Sequence, residues 1–200
     1  TFIIIKRLNN KQIEELFMSD RTDVCPIELA GSLDNKVRKI FQNPQKILKQ
    51  FLTPGIKVAD IGCGPGFFSI EIAKAIGKNG KVYAVDLQEG MLEKVRAKIL
   101  KTEYENYVIP VKCSENKILL PEKVDFMLAF FMVHEVPDKL NYFKQLKEYL
   151  NIGGKFLIVE PKYIHVSVSD FENTLNFARA AGFNVSKGID MFFTQSAILS

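Results

Sequence analysis

Val58-Ala59-Asp60-Ile61-Gly62-Cys63-Gly64-Pro65-Gly66-Phe67 decides how the rest of the 200-residue chain is read. A short β-branched run, Lys57 to Ile61, has the pattern of a buried strand. Three alternate glycines follow. Then the apolar period of a helix begins, Phe67 to Ile76, closed by Gly77 and Gly80. Gly62 and Gly64 let the backbone turn tightly and approach a ligand with no Cβ in the way. The helix behind them offers N–H groups at its positive end. Asp86 ends the next apolar run, twenty residues after Gly66, where a carboxylate can accept both hydroxyls of a ribose. The combination predicts a site for a nucleoside-containing cofactor.

Outward from this segment, strand and helix patterns alternate. Lys81 to Asp86 reads as a strand and Gln88 to Leu100 as a helix. Asn106 to Val111 reads as a strand with Pro110 near its end, and Val124 to Phe130 as a strongly apolar strand. Asp138 to Leu150 is a helix, Asn151 to Gly154 a turn and Lys155 to Val159 a strand. Asp170 to Ala181 is a helix stopped by Gly182, Phe183 to Val185 starts an extended piece, and Phe192 to Leu199 is a terminal strand. This order predicts βαβ units and a mainly parallel sheet, with the ligand at the carboxyl ends of the strands. Residues 1–53 carry helical periodicity without β-rich runs. They are expected to form an N-terminal helical lid ahead of a core spanning residues 54–200.

Composition fits one globular domain: 47% hydrophobic and 25% charged residues. The longest apolar run, Phe126 to Val133, is far shorter than the ~20 residues of a membrane-spanning helix. No leader pattern is visible, because Lys6 and Arg7 follow the apolar Thr1 to Ile5 instead of preceding it. Cys25, Cys63 and Cys113 form no CxxC pair, so neither a disulfide framework nor a metal site is expected, and a cytoplasmic location is. Net charge is +4 with interleaved signs, which argues against a nucleic-acid stripe.

The glycine segment separates two cofactor chemistries. A dinucleotide fingerprint, G-x-G-x-x-G/A, needs a small third residue where Phe67 stands. Asp60, two residues ahead of the glycines, would repel a pyrophosphate but would suit a cationic amine and a sulfonium. The electrostatics favour S-adenosylmethionine over NAD.

Val58 to Phe67 resembles motif I of the class I S-adenosylmethionine-dependent methyltransferases, and the likeness continues in order to Glu160. Val82 to Asp86 resembles the second strand with its ribose-binding acid, followed by Gly90-Met91-Leu92. Val124 to Ala129 resembles the fourth strand, and Met132-Val133-His134-Glu135-Val136 the L-H-x-V behind it. Leu150-Asn151-Ile152-Gly153-Gly154 resembles the L-K-P-G-G turn. The likeness is nearest to the type 11, ubiquinone/menaquinone-biosynthesis-like branch. It implies an α/β fold: a Rossmann-like, seven-stranded, mostly parallel sheet with helices on both faces and an antiparallel last strand.

The same resemblance implies residue roles. Gly62, Cys63, Gly64 and Gly66 would line the methionine portion of S-adenosylmethionine, with Asp60 near its amino group. Asp86 would hold the ribose and Leu87 pack on the adenine. In the loop Cys113 to Asn116, Ser114 or Glu115 would meet the adenine amino group, where many members have Asp-Ala. Ala129 and Phe130 would stand beside the methionine moiety. The implied reaction is methyl transfer to a small-molecule acceptor, releasing S-adenosylhomocysteine. A non-catalytic cofactor-binding regulator and an NAD-dependent oxidoreductase are the alternatives.

His134-Glu135 is the one candidate acid–base pair, with His134 as the candidate catalytic base. The competing role for His134 is to cap the strand end. His165 reads as a surface residue, and Tyr163 as a possible pocket wall. Phe67, Phe130 and Phe131 flank the cofactor loops and could face a sulfonium, whereas Phe68 reads as core. No Asn/Asp-Pro-Pro-Tyr/Phe motif occupies Phe130 to Val133, which argues against adenine N6 methylation, and the abundant Phe with few charged candidates near the strand ends favours a small, partly apolar metabolite as acceptor.

Overall fold

A computed structural model describes residues 43–162, 166–191 and 193–200. The expected lid helices of residues 1–42, with Cys25, lie outside the described residues, as do Tyr163, His165 and Phe192. The described chain runs α1 (Pro44–Leu48), β1 (Lys57–Ile61), α2 (Phe67–Ile76), β2 (Lys81–Asp86), α3 (Glu89–Ile99), β3 (Val108–Lys112), β4 (Val124–Phe130), α4 (Lys139–Tyr149), β5 (Leu150–Pro161), α5 (Val168–Ala180), β6 (Val185–Lys187) and β7 (Thr194–Leu199). Short 3₁₀ turns, Glu103–Asn106 and Val133–Glu135, precede β3 and follow β4.

Among the described residues the strands form one seven-stranded sheet, ordered β3-β2-β1-β4-β5-β7-β6. The pairs from β3 through β5 are parallel, and β7 is antiparallel to both of its neighbours. This is the Rossmann-like, mostly parallel sheet that the alternation and the resemblance imply. The chain reverses its direction of growth between β1 and β4, so the crevice at their carboxyl ends is where such a sheet takes a ligand.

Alternation along the strands sorts the core into two layers. Val58, Val82, Phe126, Leu128 and Leu157 face α1, α2 and α3 through Leu48, Ile72, Ile76, Leu92 and Val95. Ala59, Tyr83, Met127, Phe156 and Ile158 face α4 and α5 through Phe143, Leu146, Phe171 and Leu175. Phe51 stacks on Phe126 at 5.0 Å between ring centroids, covering the first layer beyond the end of α1.

Boundaries shift where side chains outweigh propensity. The expected turn Asn151 to Gly154 lies inside β5. Leu150 pairs with Val124, the register slips between Val124 and Phe126, and Asn151 Nδ2 donates to Asp125 Oδ1 at 2.8 Å. That bond holds the stretch alongside β4 as a bulged strand start. α5 begins at Val168 instead of Asp170, because Ser167 and Asp170 form a reciprocal capping box. β6 begins two residues later than Phe183, whose N–H still donates to Ala178 at the end of α5. Pro110 sits in the middle of β3, which is tolerated because β3 is an edge strand.

At the amino ends of the strands, Glu122 accepts hydrogen bonds from Lys57 Nζ, Tyr83 Oη and Lys81 Nζ, the last at 3.0 Å. These partners, Lys57 first, hold the Glu122 carboxyl down at about 2 instead of 4.5. A carboxyl depressed on folding stabilises above its unfolded pKa and loses that contribution as pH falls through the folded value. Glu122→Gln is therefore expected to cost roughly 1 kcal/mol near neutrality, the scale of a partly exposed ion pair. The difference from wild type should vanish between about pH 4.5 and pH 2. Urea titrations across that range check it, and a pH-independent difference contradicts it.

Candidate functional site

The glycine loop leaves β1 at the reversal point of the sheet. The N–H groups of Gly62 and Cys63 both donate to Val85 O at 2.9 Å, and Gly66 N–H returns to Cys63 O at 3.0 Å. Gly62, Gly64 and Gly66 all have positive φ, at +69°, +52° and +82°, so the loop needs residues that tolerate the left-handed region. A Cβ on Gly64 would meet nothing within 4 Å. The backbone there borders open space, as a ligand cradle requires.

Asp86 clamps this loop from the end of β2. Gly64 N–H donates to its Oδ2 and Gln88 N–H to its Oδ1, each at 2.8 Å. The carboxylate is 7% exposed. Burial pushes its pKa above the usual carboxylate value, against the bonds from Gln88 and Gly64 and the charge of Lys112. Each oxygen has further lone-pair capacity for a ligand hydroxyl. Leu87, half-buried, follows it directly.

Asp60 is 2% exposed and accepts from Ser69 Oγ at 2.6 Å, which ties β1 to the first turn of α2. Cys63 is buried beside Asp60 and Asp86. Burial first, then those two charges, push its thiol well above the ordinary value, so it stays neutral. Cys113 is pushed up to about 11 by burial and Asp86. Cys63 is buried in the core and Cys113 packs half-buried against it. Ser114 and Glu115 are exposed in a turn closed by the backbone bridge between Ser114 and Lys117. The turn stands next to Asp86, whose carbonyl accepts from Cys113 N–H at 3.1 Å.

Ala129 and Phe130 are buried at the end of β4, with Ala129 in register with Ile61 just before the glycine loop. From the start of α2 an aromatic row crosses to this strand end: Phe67 to Phe68 at 5.2 Å, Phe68 to Phe130 at 4.4 Å, Phe130 to Phe131 at 4.5 Å. Phe131 takes the left-handed conformation, φ 59°, uncommon for a large side chain and typical of functional turns.

The turn after β4 is tied to the end of β5. Glu160, near the end of β5, is 1% exposed. Its Oε1 accepts from Val133 N–H at 2.7 Å and from His134 N–H at 3.3 Å, and its Oε2 lies 2.6 Å from His134 Nδ1. Burial lowers the His134 pKa, but the hydrogen bond and charge of Glu160, helped by Glu135, outweigh it and leave the ring above its ordinary value. Lys139 Nζ donates to Val136 O at 2.7 Å. Tyr142 Oη donates to Met132 Sδ at 3.4 Å. Met132 also abuts the glycine loop, since a Cβ on Gly62 would stand 2.7 Å from Met132 Cγ. One side chain thus joins the loop carrying Asp86's partner to the turn carrying His134.

Glu160 is a site residue that the sequence motifs do not mark. The signal was a lone acid ending the apolar run Phe156 to Val159, where only a demanding partner justifies a buried charge. Among the described residues no group of three or more His, Cys, Asp or Glu side chains could hold a metal ion. No helix among them is long and apolar enough to cross a membrane.

A family model described as a methyltransferase domain matches residues 52–188. The demethylmenaquinone methyltransferase of Lactococcus lactis is 26% identical over 162 residues, which cover 78% of this chain and 61% of the relative. That of Bacillus mycoides is 30% identical over 110 residues, covering 54% and 45%. The chain thus spans about half the length of the curated relatives it matches. A crystal structure of a SAM-dependent methyltransferase from Aquifex aeolicus superposes with TM-score 0.77 and 29% identity, covering 87% of this chain and 97% of that one. A Methanococcus maripaludis structure at 18% identity, TM-score 0.71, covering 92% and 95%, shares the fold.

Proposed function

The chain belongs to the methyltransferase-domain family, and on that premise we propose that it transfers a methyl group from S-adenosylmethionine to a small, partly apolar acceptor. The observation that carries the reading is the clamp of Asp86 on Gly64 at the reversal point of the sheet. The fit of the cofactor rests on the same features. The open cradle at Gly64 admits the methionine portion along Gly62, Cys63 and Gly66. Asp60 supplies negative charge near a cationic amine. Asp86 has acceptor capacity left for ribose hydroxyls, Leu87 offers an apolar face to adenine, and Ser114 or Glu115 borders its amino group. Ala129 and Phe130 close the far side. When bound, the cofactor supplies an electrophilic sulfonium methyl, and the electron pair of the broken S–C bond stays on sulfur.

The chain's own groups then do three things. They align the reactants, which is the main contribution for an already activated donor. The row from Phe67 to Phe131 keeps water from the reacting atoms. His134 receives the proton that the acceptor loses. The names of the curated relatives point to a quinone-like acceptor, and the aromatic row suits such an apolar ring. Free thiols at Cys63 and Cys113 suit a cytoplasmic protein.

Calorimetric titration with S-adenosylhomocysteine, with NADH as the control, tests the reading. Micromolar binding of S-adenosylhomocysteine alone is expected. Binding of NADH alone, or of neither ligand, overturns it.

A further inference from the structure

We propose that Glu160 is the positioning residue of this site: it holds the proton of the neutral His134 ring on Nδ1 and thereby presents Nε2 as the proton acceptor. The inference rests on the methyl-transfer reading only for what that proton acceptor serves.

The geometry divides the carboxylate between two tasks. Oε1 takes the Val133 and His134 amides, fixing the turn. Oε2 takes the ring at 2.6 Å. A turn cap alone could be built from a neutral acceptor, without the cost of desolvating a charge. The charge is explained by the second task. A carboxylate can only accept, so the ring nitrogen facing it must carry the hydrogen, and in the neutral ring the lone pair then sits on Nε2.

The surroundings set the basicity. Glu135 adds negative charge from the same turn, Lys139 on α4 adds positive charge, and burial opposes protonation. Tyr142 on α4 is buried, and burial, then Glu160 and Cys113, push its phenol well above the ordinary range, so it stays neutral. Of these groups Glu160 contributes most to favouring the imidazolium. It makes His134 a stronger base than an isolated imidazole while fixing where it accepts.

The chain has two histidines, His134 and His165, so long-range ¹H–¹⁵N correlation spectra resolve both rings, and His165→Gln assigns them. In the wild-type protein the neutral His134 ring is expected to be protonated on Nδ1, with a pKa above the ordinary ~6.5. Glu160→Gln keeps an oxygen for the two amides but turns an NH₂ toward the ring. The tautomer should invert to Nε2–H, and the pKa should fall below the ordinary value, since burial remains and the chief counter-charge is gone. Glu160→Asp, which restores the charge, should return the Nδ1–H form. An Nε2–H ring in the wild type overturns the proposal without any variant. So does an unchanged tautomer and pKa in Glu160→Gln. S-adenosylhomocysteine titrations on the same samples separate the two readings: loss of ligand binding in the wild type with the expected ring spectra refutes the methyl-transfer function and leaves the Glu160–His134 arrangement standing.

Discussion

Replacing Asp86 by alanine is expected to weaken S-adenosylhomocysteine binding by about 10²-fold or more, from hydrogen bonds to a charged group worth roughly 1.5–3 kcal/mol each. Two sets of contacts go at once. The ribose hydroxyls lose their acceptor, and Gly64 N–H loses the oxygen that fixes the loop at 2.8 Å. The fold should survive, because the freed Gly64 and Gln88 amides belong to half-buried residues that water can reach. Asp86→Asn keeps one acceptor oxygen and should lose about tenfold, one charge-assisted bond's share. Calorimetry with S-adenosylhomocysteine reads both. Affinity within threefold of wild type for the alanine variant would mean that the loop and its ligand are organised by something other than this carboxylate.

The second large effect separates neighbouring glycines that look interchangeable in the sequence. Gly62→Ala places a methyl 2.7 Å from Met132 Cγ and 3.0 Å from Met132 Cβ, at φ +69°. The Cγ can rotate away, but the Cβ cannot move without its backbone. Left-handed strain of about 1–2 kcal/mol adds to overpacking of about 1–3 kcal/mol. A loss of this size lowers the melting temperature by roughly 4–20 °C in a domain of this length. Gly64→Ala also has positive φ, +52°, but its methyl enters open space. It should melt within a few degrees of wild type, while binding S-adenosylhomocysteine about 10²-fold more weakly, because the methyl occupies the cradle. Thermal melts and ligand titrations on the two variants should thus part in opposite directions. Equal melting temperatures would show that Met132 yields freely and does not brace the loop.

The layered core was legible because strand alternation and helix period act over a few residues. Val124–Phe130 and Lys57–Ile61 have the same limits in the sequence reading and in the structure. The glycine loop was legible for the same reason, since its turn, its helix and Asp86 lie within one βαβ unit. Strand order is not readable from pattern, and the antiparallel last strand rests on the resemblance alone. Glu160 was missed because its partners lie 26 and 27 residues away, and no local spacing encodes a pairing made by β4 and β5 lying side by side. Asn151 was misread because its side chain bonds across to Asp125, a tertiary contact that turned an expected turn into strand. At Ser114 and Glu115 the family pattern itself is altered, so position alone marked them.

The junction of β1 with β4 also divides the molecule into two halves. On one side stand the glycine loop and Asp86, on the other His134 and Glu160, and the two strands are joined by parallel backbone pairing from Val58 to Ile61. Main-chain bonds do not depend on side-chain identity, so residues on the β4–β5 side other than Ala129, Phe130, His134 and Glu160 should be exchangeable one at a time with S-adenosylhomocysteine affinity unchanged. Directed libraries aimed at new acceptors should therefore be confined to the β4–β5 half. Beside those four, Met132, which fills the space where a Cβ on Gly62 would stand, is a position to hold fixed.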